Sequence, residues 1–230
     1  MALLHYAPPL SPYLTILYQD DDILVLNKPS GLLSVPGKAP EHQDSLQRRV
    51  QRVFPTATVV HRLDMATSGI MLMTLNMAAH RHISRQFETR QTDKRYLARV
   101  WGHPAEPQGS VDLPLICDWP NRPKQMVDFE RGKKALTHYQ VLWRDQHSAL
   151  VELKPVTGRS HQLRVHMLSL GCPILGDKLY AHPQALAAAP HLQLHAAELM
   201  LEHPTTGESM CFRCRPPFAH QVPTEFTDNL

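Results

Sequence analysis

The chain has 230 residues, 43% hydrophobic and 20% charged, with a formal net charge of +3. That suits one large domain or two small subdomains with a real core, and it is too apolar for a disordered chain. No apolar run reaches membrane-spanning length, and Met1–Pro9 lacks the charged start and long apolar centre of a signal peptide, so a cytoplasmic protein with no membrane partner is expected.

The prolines of residues 1–13 suggest an extended arm. Leu14–Gln19 and Ile23–Leu26 read as two strands joined by the acidic turn Asp20-Asp21-Asp22. Asn27-Lys28-Pro29-Ser30-Gly31 is a shaped loop, because Pro29 fixes φ and Gly31 permits positive φ. Lys28 can meet a phosphate or point into water, and the loop is expected to buttress a site. Asp44 reads as the N-cap of a helix with Leu46, Val50 and Val53 on one side and Arg48, Arg49 and Arg52 on the others, stopped by Phe54-Pro55. Two short apolar runs follow, Thr58-Val59-Val60 and Ile70–Leu75, read as buried strands. Met77–Glu88 reads as a helix with Ala79, Ile83 and Phe87 in line. Arg81, Arg85, Arg90, Lys94, Arg95 and Arg99 stand against Glu88 and Asp93, so this stretch is locally basic.

Tyr96–Trp101 reads as a strand. Residues 102–134, rich in Pro, Gly and charge, read as a long loop or flexible hairpin. Within it Trp119, Arg122 and Lys124 set a stacking ring beside cations, which suits single-stranded RNA; the alternative is a linker whose Trp anchors it to the body. Leu136–Trp143 and Ala149–Leu153 suggest an antiparallel pair. Leu163, Met167 and Leu170 line one side of a helix ending at Gly171. Leu192–Leu201 and Ser209–Arg213 are final strands, and residues 216–230 read as a loose tail. The four cysteines suit a reducing compartment. Cys211-Phe212-Arg213-Cys214 has zinc half-site spacing, but no second half-site stands out, so no metal is expected. Many strands with scattered helices and short connections argue α+β with a mixed, mainly antiparallel central sheet and flanking helices.

Between the two apolar runs at 58–75 lies His61-Arg62-Leu63-Asp64-Met65-Ala66-Thr67-Ser68-Gly69. A plain turn would not need Arg-Leu-Asp, although Asp64 can also serve as a local cap. This stretch resembles the signature of the RluA-type pseudouridine synthases. Asn27–Gly31, Lys94–Val100 and Gly158–His166 resemble three further motifs of that family, in the same order. Asp112–Gln125 is similar to the small members that modify both ribosomal and transfer RNA.

The resemblance implies the pseudouridine synthase catalytic fold in a single domain spanning 1–230, with no separate N-terminal RNA-binding domain. It implies that RNA is the partner, that no metal or organic cofactor is required, and that a monomer without affinity for DNA is expected. Pseudouridine formation breaks the N1–C1′ bond of a uridine, turns the base and rejoins it through C5. Asp64 is the implied carboxylate, acting as a nucleophile or as a base on the ribose. Enclosure favours its neutral form, and an adjacent guanidinium favours the carboxylate. Arg164 aligns with the family's guanidinium and lies off the apolar line of its helix, with Arg159 a weaker alternative and a surface ion pair the bland one. Tyr96 aligns with the active-site tyrosine and can stack on uracil. Arg62 helps hold the flipped nucleotide, His61 can join it or simply pack, and Leu163 can wall the base pocket or belong to the core.

Two other readings fare worse. A kinase catalytic loop lacks the intervening Leu and needs further motifs that are missing. A glycosidase needs a second acid to partner Asp64. A non-catalytic RNA-binding protein keeps the basic helix and the Trp loop but does not require Asp64.

Overall fold

The fold was obtained as a computed structural model, and it describes residues 6–228. In chain order the elements are β1 (Ile16–Gln19), β2 (Ile23–Lys28), α1 (Leu46–Gln51), β3 (Thr58–Val59), β4 (Ser68–Thr74), α2 (Met77–Glu88), β5 (Asp93–Trp101), β6 (Gln108–Asp112), β7 (Leu115–Cys117), β8 (Gln125–Val127), β9 (Leu136–Arg144), β10 (Ser148–Pro155), α3 (Gln162–Ser169), α4 (Pro183–Ala187), β11 (Leu194–Glu202) and β12 (Ser209–Arg213). They fall into two units: the chain up to Lys94 with His195–Pro216, and Arg95–Leu194 with the chain from Pro217.

In the N-terminal unit the β1–β2 turn closes on Asp20, whose carboxylate accepts the Asp22 and Ile23 N–H groups at 2.8 Å each. β2 pairs antiparallel with β4, from Ile23 opposite Thr74 to Lys28 opposite Gly69. The other edge of β4 takes β11 in parallel, with Ser68 opposite His195 and Gly69 opposite Ala196. β12 pairs antiparallel with β11. Every residue of β4 is buried, which is why its sequence is a continuous apolar run rather than an alternation. Ile23, Val25, Ile70, Leu72, Leu199, Leu201 and Phe212 form the core with Ile83 of α2. Gly69 (φ +111°) is obligatory, because a Cβ there would lie 2.3 Å from the Ala196 carbonyl oxygen.

In the second unit β10 lies antiparallel between β5 and β9, and β6 adds antiparallel to β9. β7 and β8 form a separate two-stranded ribbon. The fold class is therefore α+β with mixed, mainly antiparallel pairing, as the patterning indicates.

Local expectations change in five respects. Ser45, not Asp44, caps α1, its hydroxyl accepting the Arg48 N–H. Asp44 instead forks the fully buried Arg49 at 2.9 and 2.7 Å, and that guanidinium holds its carboxyl below the usual range. Val53 is outside the helix and 63% exposed, because α1 stops after Gln51. Thr58 and Val59 are only half-buried. Residues 102–134 are nearer the hairpin than the long loop: β7 and β8 pair antiparallel and β6 joins β9, and strands of three to five residues are too short for a period to show. The stretch from Pro217 to Asp228 is not a loose tail, since Phe218 and Val222, four residues apart, are buried at 1% and 7% exposure.

Candidate active site

Asp64 sits in the turn between β3 and β4, its carbonyl accepting the Thr67 N–H at 3.1 Å. The loop after β2 forms a cradle beneath that turn. Lys28 Nζ donates to the carbonyls of Pro29, Leu32 and Met65 at 3.0, 2.7 and 3.0 Å. An ammonium has three hydrogens, so three acceptors match it. Ser30 Oγ donates to the Ala66 carbonyl at 2.7 Å, and the Gly31 N–H to that of Met65 at 2.9 Å. Ser34 Oγ donates to the Leu63 carbonyl at 2.6 Å and accepts the Leu63 N–H at 3.1 Å. The backbone on both sides of Asp64 is thus fixed by groups from one upstream segment. Asp64 is half-buried. Lys28 is fully buried; desolvation pulls its pKa down to about 7, and the Asp64 charge opposes that. The loop buttresses the site as expected, but Lys28 neither meets solvent nor is open to a phosphate.

Arg62 is exposed. His61 turns inward: its Nε2 accepts the Leu72 N–H at 2.9 Å and its ring stacks on Phe87 at 4.6 Å. Burial pulls its pKa down to about 3, with the Lys94 charge assisting. The ring is therefore neutral and part of the packing, the second of the two readings open for this residue. Just beyond the motif, the His195 Nε2–H donates to the Cys214 carbonyl at 3.0 Å, so Nδ1 accepts the Ser68 hydroxyl at 2.9 Å. Burial pulls the His195 pKa down to about 4. Cys214 is buried and Cys211 exposed.

In the second unit Tyr96 is half-buried on β5, opposite Leu153. Leu153 lies opposite Tyr139, two residues from Thr137. Thr137 Oγ1 bonds Gln162 Nε2 at 3.0 Å and His166 Nδ1 at 2.9 Å, both on α3. Because faces alternate along a strand, Tyr96 lies on the sheet face that carries α3.

α3 is buried from Gln162 to Met167, not along one line only. Arg164 is 4% exposed and is no surface pair: its Nε and Nη2 donate to Asp177 at 2.7 and 2.6 Å. Tyr180 covers the guanidinium, 5.0 Å from ring centre to Cζ. Leu163 is also buried, at 6% exposure. Arg159 donates instead to the Lys134 carbonyl. Trp119 stands 65% exposed beside the β7–β8 ribbon, with Arg122 over its ring at 4.8 Å, and Lys124 is half-buried in the same turn. Asp177, Tyr180 and Ser34 escaped the sequence reading. They lie outside the motifs and the periodic runs, and a lone loop serine carries no period.

A carboxylate held in a backbone cradle, on an α+β scaffold of this topology, agrees with the sequence comparisons. Residues 22–169 match the family described as RNA pseudouridylate synthase, and the chain belongs to that family. It is 58% identical over 219 residues to the dual-specificity RNA pseudouridine synthase RluA of Escherichia coli K12, covering 95% of this chain and 100% of that protein. It is 61% identical over 204 residues to the RluA of Yersinia pestis, covering 88% and 99%. Among solved structures, human RNA pseudouridylate synthase domain containing 1 superposes with a TM-score of 0.76 at 30% identity, covering 95% and 89%. The chain is an RNA pseudouridine synthase, isomerising uridine to pseudouridine.

Proposed function

We propose that this enzyme modifies uridines in both a large-subunit ribosomal RNA hairpin and a transfer RNA anticodon stem-loop, with Asp64 as its catalytic carboxylate. The dual specificity named for its RluA relatives supports the substrate choice, as does the likeness of Asp112–Gln125. In this reading Asp64 engages the ribose of a flipped-out uridine while N1–C1′ breaks. The base turns, C5 bonds to C1′, the C5 proton leaves and N1 gains one. Tyr96 stacks on the uracil, Arg164 steadies the carboxylate, and Leu163 contributes to the apolar wall. Arg62 holds the flipped state; Trp119, Arg122 and Lys124 grip the flanking strand. Isomerisation neither oxidises nor hydrolyses, so the proposal calls for no cofactor. It describes a cytoplasmic monomer acting on RNA rather than DNA; among the described residues no helix is long and apolar enough to cross a membrane.

The observation that carries this reading is the cradle. Lys28, Ser30, Gly31 and Ser34 fix the backbone around one half-buried aspartate, which is what preorganised catalysis requires. The test is Asp64→Asn, assayed by tritium release from RNA labelled at uridine C5 and by filter binding of the same RNA. The rate should fall by at least about 100-fold while binding stays within a few-fold. Undiminished tritium release would remove Asp64 from the mechanism.

A further inference from the structure

Resting on the reading of Arg164 as the arginine of the catalytic site, we propose that Asp177 and Tyr180 are its positioning residues, and that Tyr180 ties it to the Trp119 ribbon. Asp177 is 1% exposed and takes the Nε–Nη2 edge of the guanidinium. Its Oδ1 also accepts the Leu179 and Tyr180 N–H groups at 2.9 and 3.3 Å, so the carboxylate cannot swing. Tyr180 covers the guanidinium face. Edge and face together fix the plane of Arg164 and place Nη1 outside the Asp177 fork.

The Tyr180 hydroxyl does a second job. It accepts the Gln125 N–H of β8 at 2.7 Å. It also bonds His161 Nδ1, again at 2.7 Å. His161 precedes α3 at φ 53°, a left-handed conformation that a non-glycine residue keeps only when its surroundings hold it. One oxygen thus pins the strand that follows the Trp119–Arg122 turn and the entry to the helix bearing Arg164. A buried ion pair adds little to stability over an apolar pair of the same size, so this bidentate, ring-covered arrangement is better explained by orientation. Because Asp177 balances its charge, Arg164 acts as an aimed hydrogen-bond donor rather than as a net cation.

The experiment compares Arg164→Gln, Asp177→Asn, the double variant and Tyr180→Phe, using tritium release from C5-labelled transfer RNA with kcat and KM separated. Thermal unfolding of each is followed in parallel. Arg164→Gln and Asp177→Asn should each lower kcat at least tenfold with KM within threefold, and the double variant should be no slower than Arg164→Gln. Tyr180→Phe, which keeps the ring, should lower kcat three- to tenfold while the unfolding midpoint falls by only a few degrees and the enzyme stays folded at the assay temperature. A folded Asp177→Asn enzyme with the wild-type kcat, or losses that multiply in the double variant, overturns the proposal. If Asp177→Asn does not fold, Tyr180→Phe decides, and a wild-type kcat there overturns it. Arg164→Gln at full rate would instead sink the underlying site reading.

Discussion

The turn carrying Asp64 and the helix carrying Arg164 are fixed by different physics. Asp64 is held through its backbone: neighbouring carbonyls are bonded to a lysine, two serines and an amide from one segment about thirty residues upstream. Each bond is worth roughly 1 kcal/mol, so the cradle fails by degrees. Arg164 is held through its side chain, by a buried countercharge and a ring from the turn after its own helix. Removing one partner of such a pair strands a charge, so that region fails sharply.

The largest effect should come from breaking the sharp region. Asp177→Asn should lower unfolding free energy by about 3–5 kcal/mol in a urea titration; a loss below 1 kcal/mol would make the two regions alike. Acid is the next lever, and it acts on the N-terminal unit through His61 and His195, with pKa values of about 3 and 4. Both lie below the ordinary 6.5, so the folded chain binds fewer protons than the unfolded one. Their stabilisation is complete above about pH 6.5 and is lost as pH falls toward 4, at up to about 1.4 kcal/mol per pH unit for each histidine. Urea midpoints at pH 7.5, 6.0 and 5.0 should fall in that order, and His195→Gln should flatten the slope. Next, Lys28→Met should cost about 1–2 kcal/mol, because three carbonyls lose their donor while a buried charge is relieved. Its kcat should fall more than its KM rises.

This division also explains what the sequence revealed. The cradle was legible because both of its halves are short polar motifs set against apolar runs, at 27–31 and 61–69. The strands at 23–28 and 68–74 were legible for the same reason: their apolar runs and flanking turns state their burial. Arg164 was found by resemblance, but its surroundings were misjudged. Periodicity marked Leu163, Met167 and Leu170 as the buried face, whereas α3 is enclosed on nearly all sides and its polar residues satisfy one another inside. Buried polar networks have no period, so Asp177 and Tyr180 could not be read from spacing. His61 left two readings open for a related reason. A histidine in a polar motif looks like a ligand for RNA, and only the Leu72 N–H and the Phe87 ring show that it packs.

The smallest change tests whether the cradle truly yields by degrees. Ser30→Ala removes one hydroxyl and leaves the Ala66 carbonyl without that donor, while the bonds to Met65 from Lys28 and Gly31 and those of Ser34 remain. The cost should be about 1 kcal/mol of stability, with kcat lowered by a few-fold and RNA binding unchanged. Ser34→Ala should do slightly more, since its hydroxyl both donates to and accepts from Leu63. The two serines touch different residues of the turn, so the double variant should approach the sum. A collapse of activity from Ser30→Ala alone would mean that the turn has only two states, and the contrast with the Arg164 region would vanish.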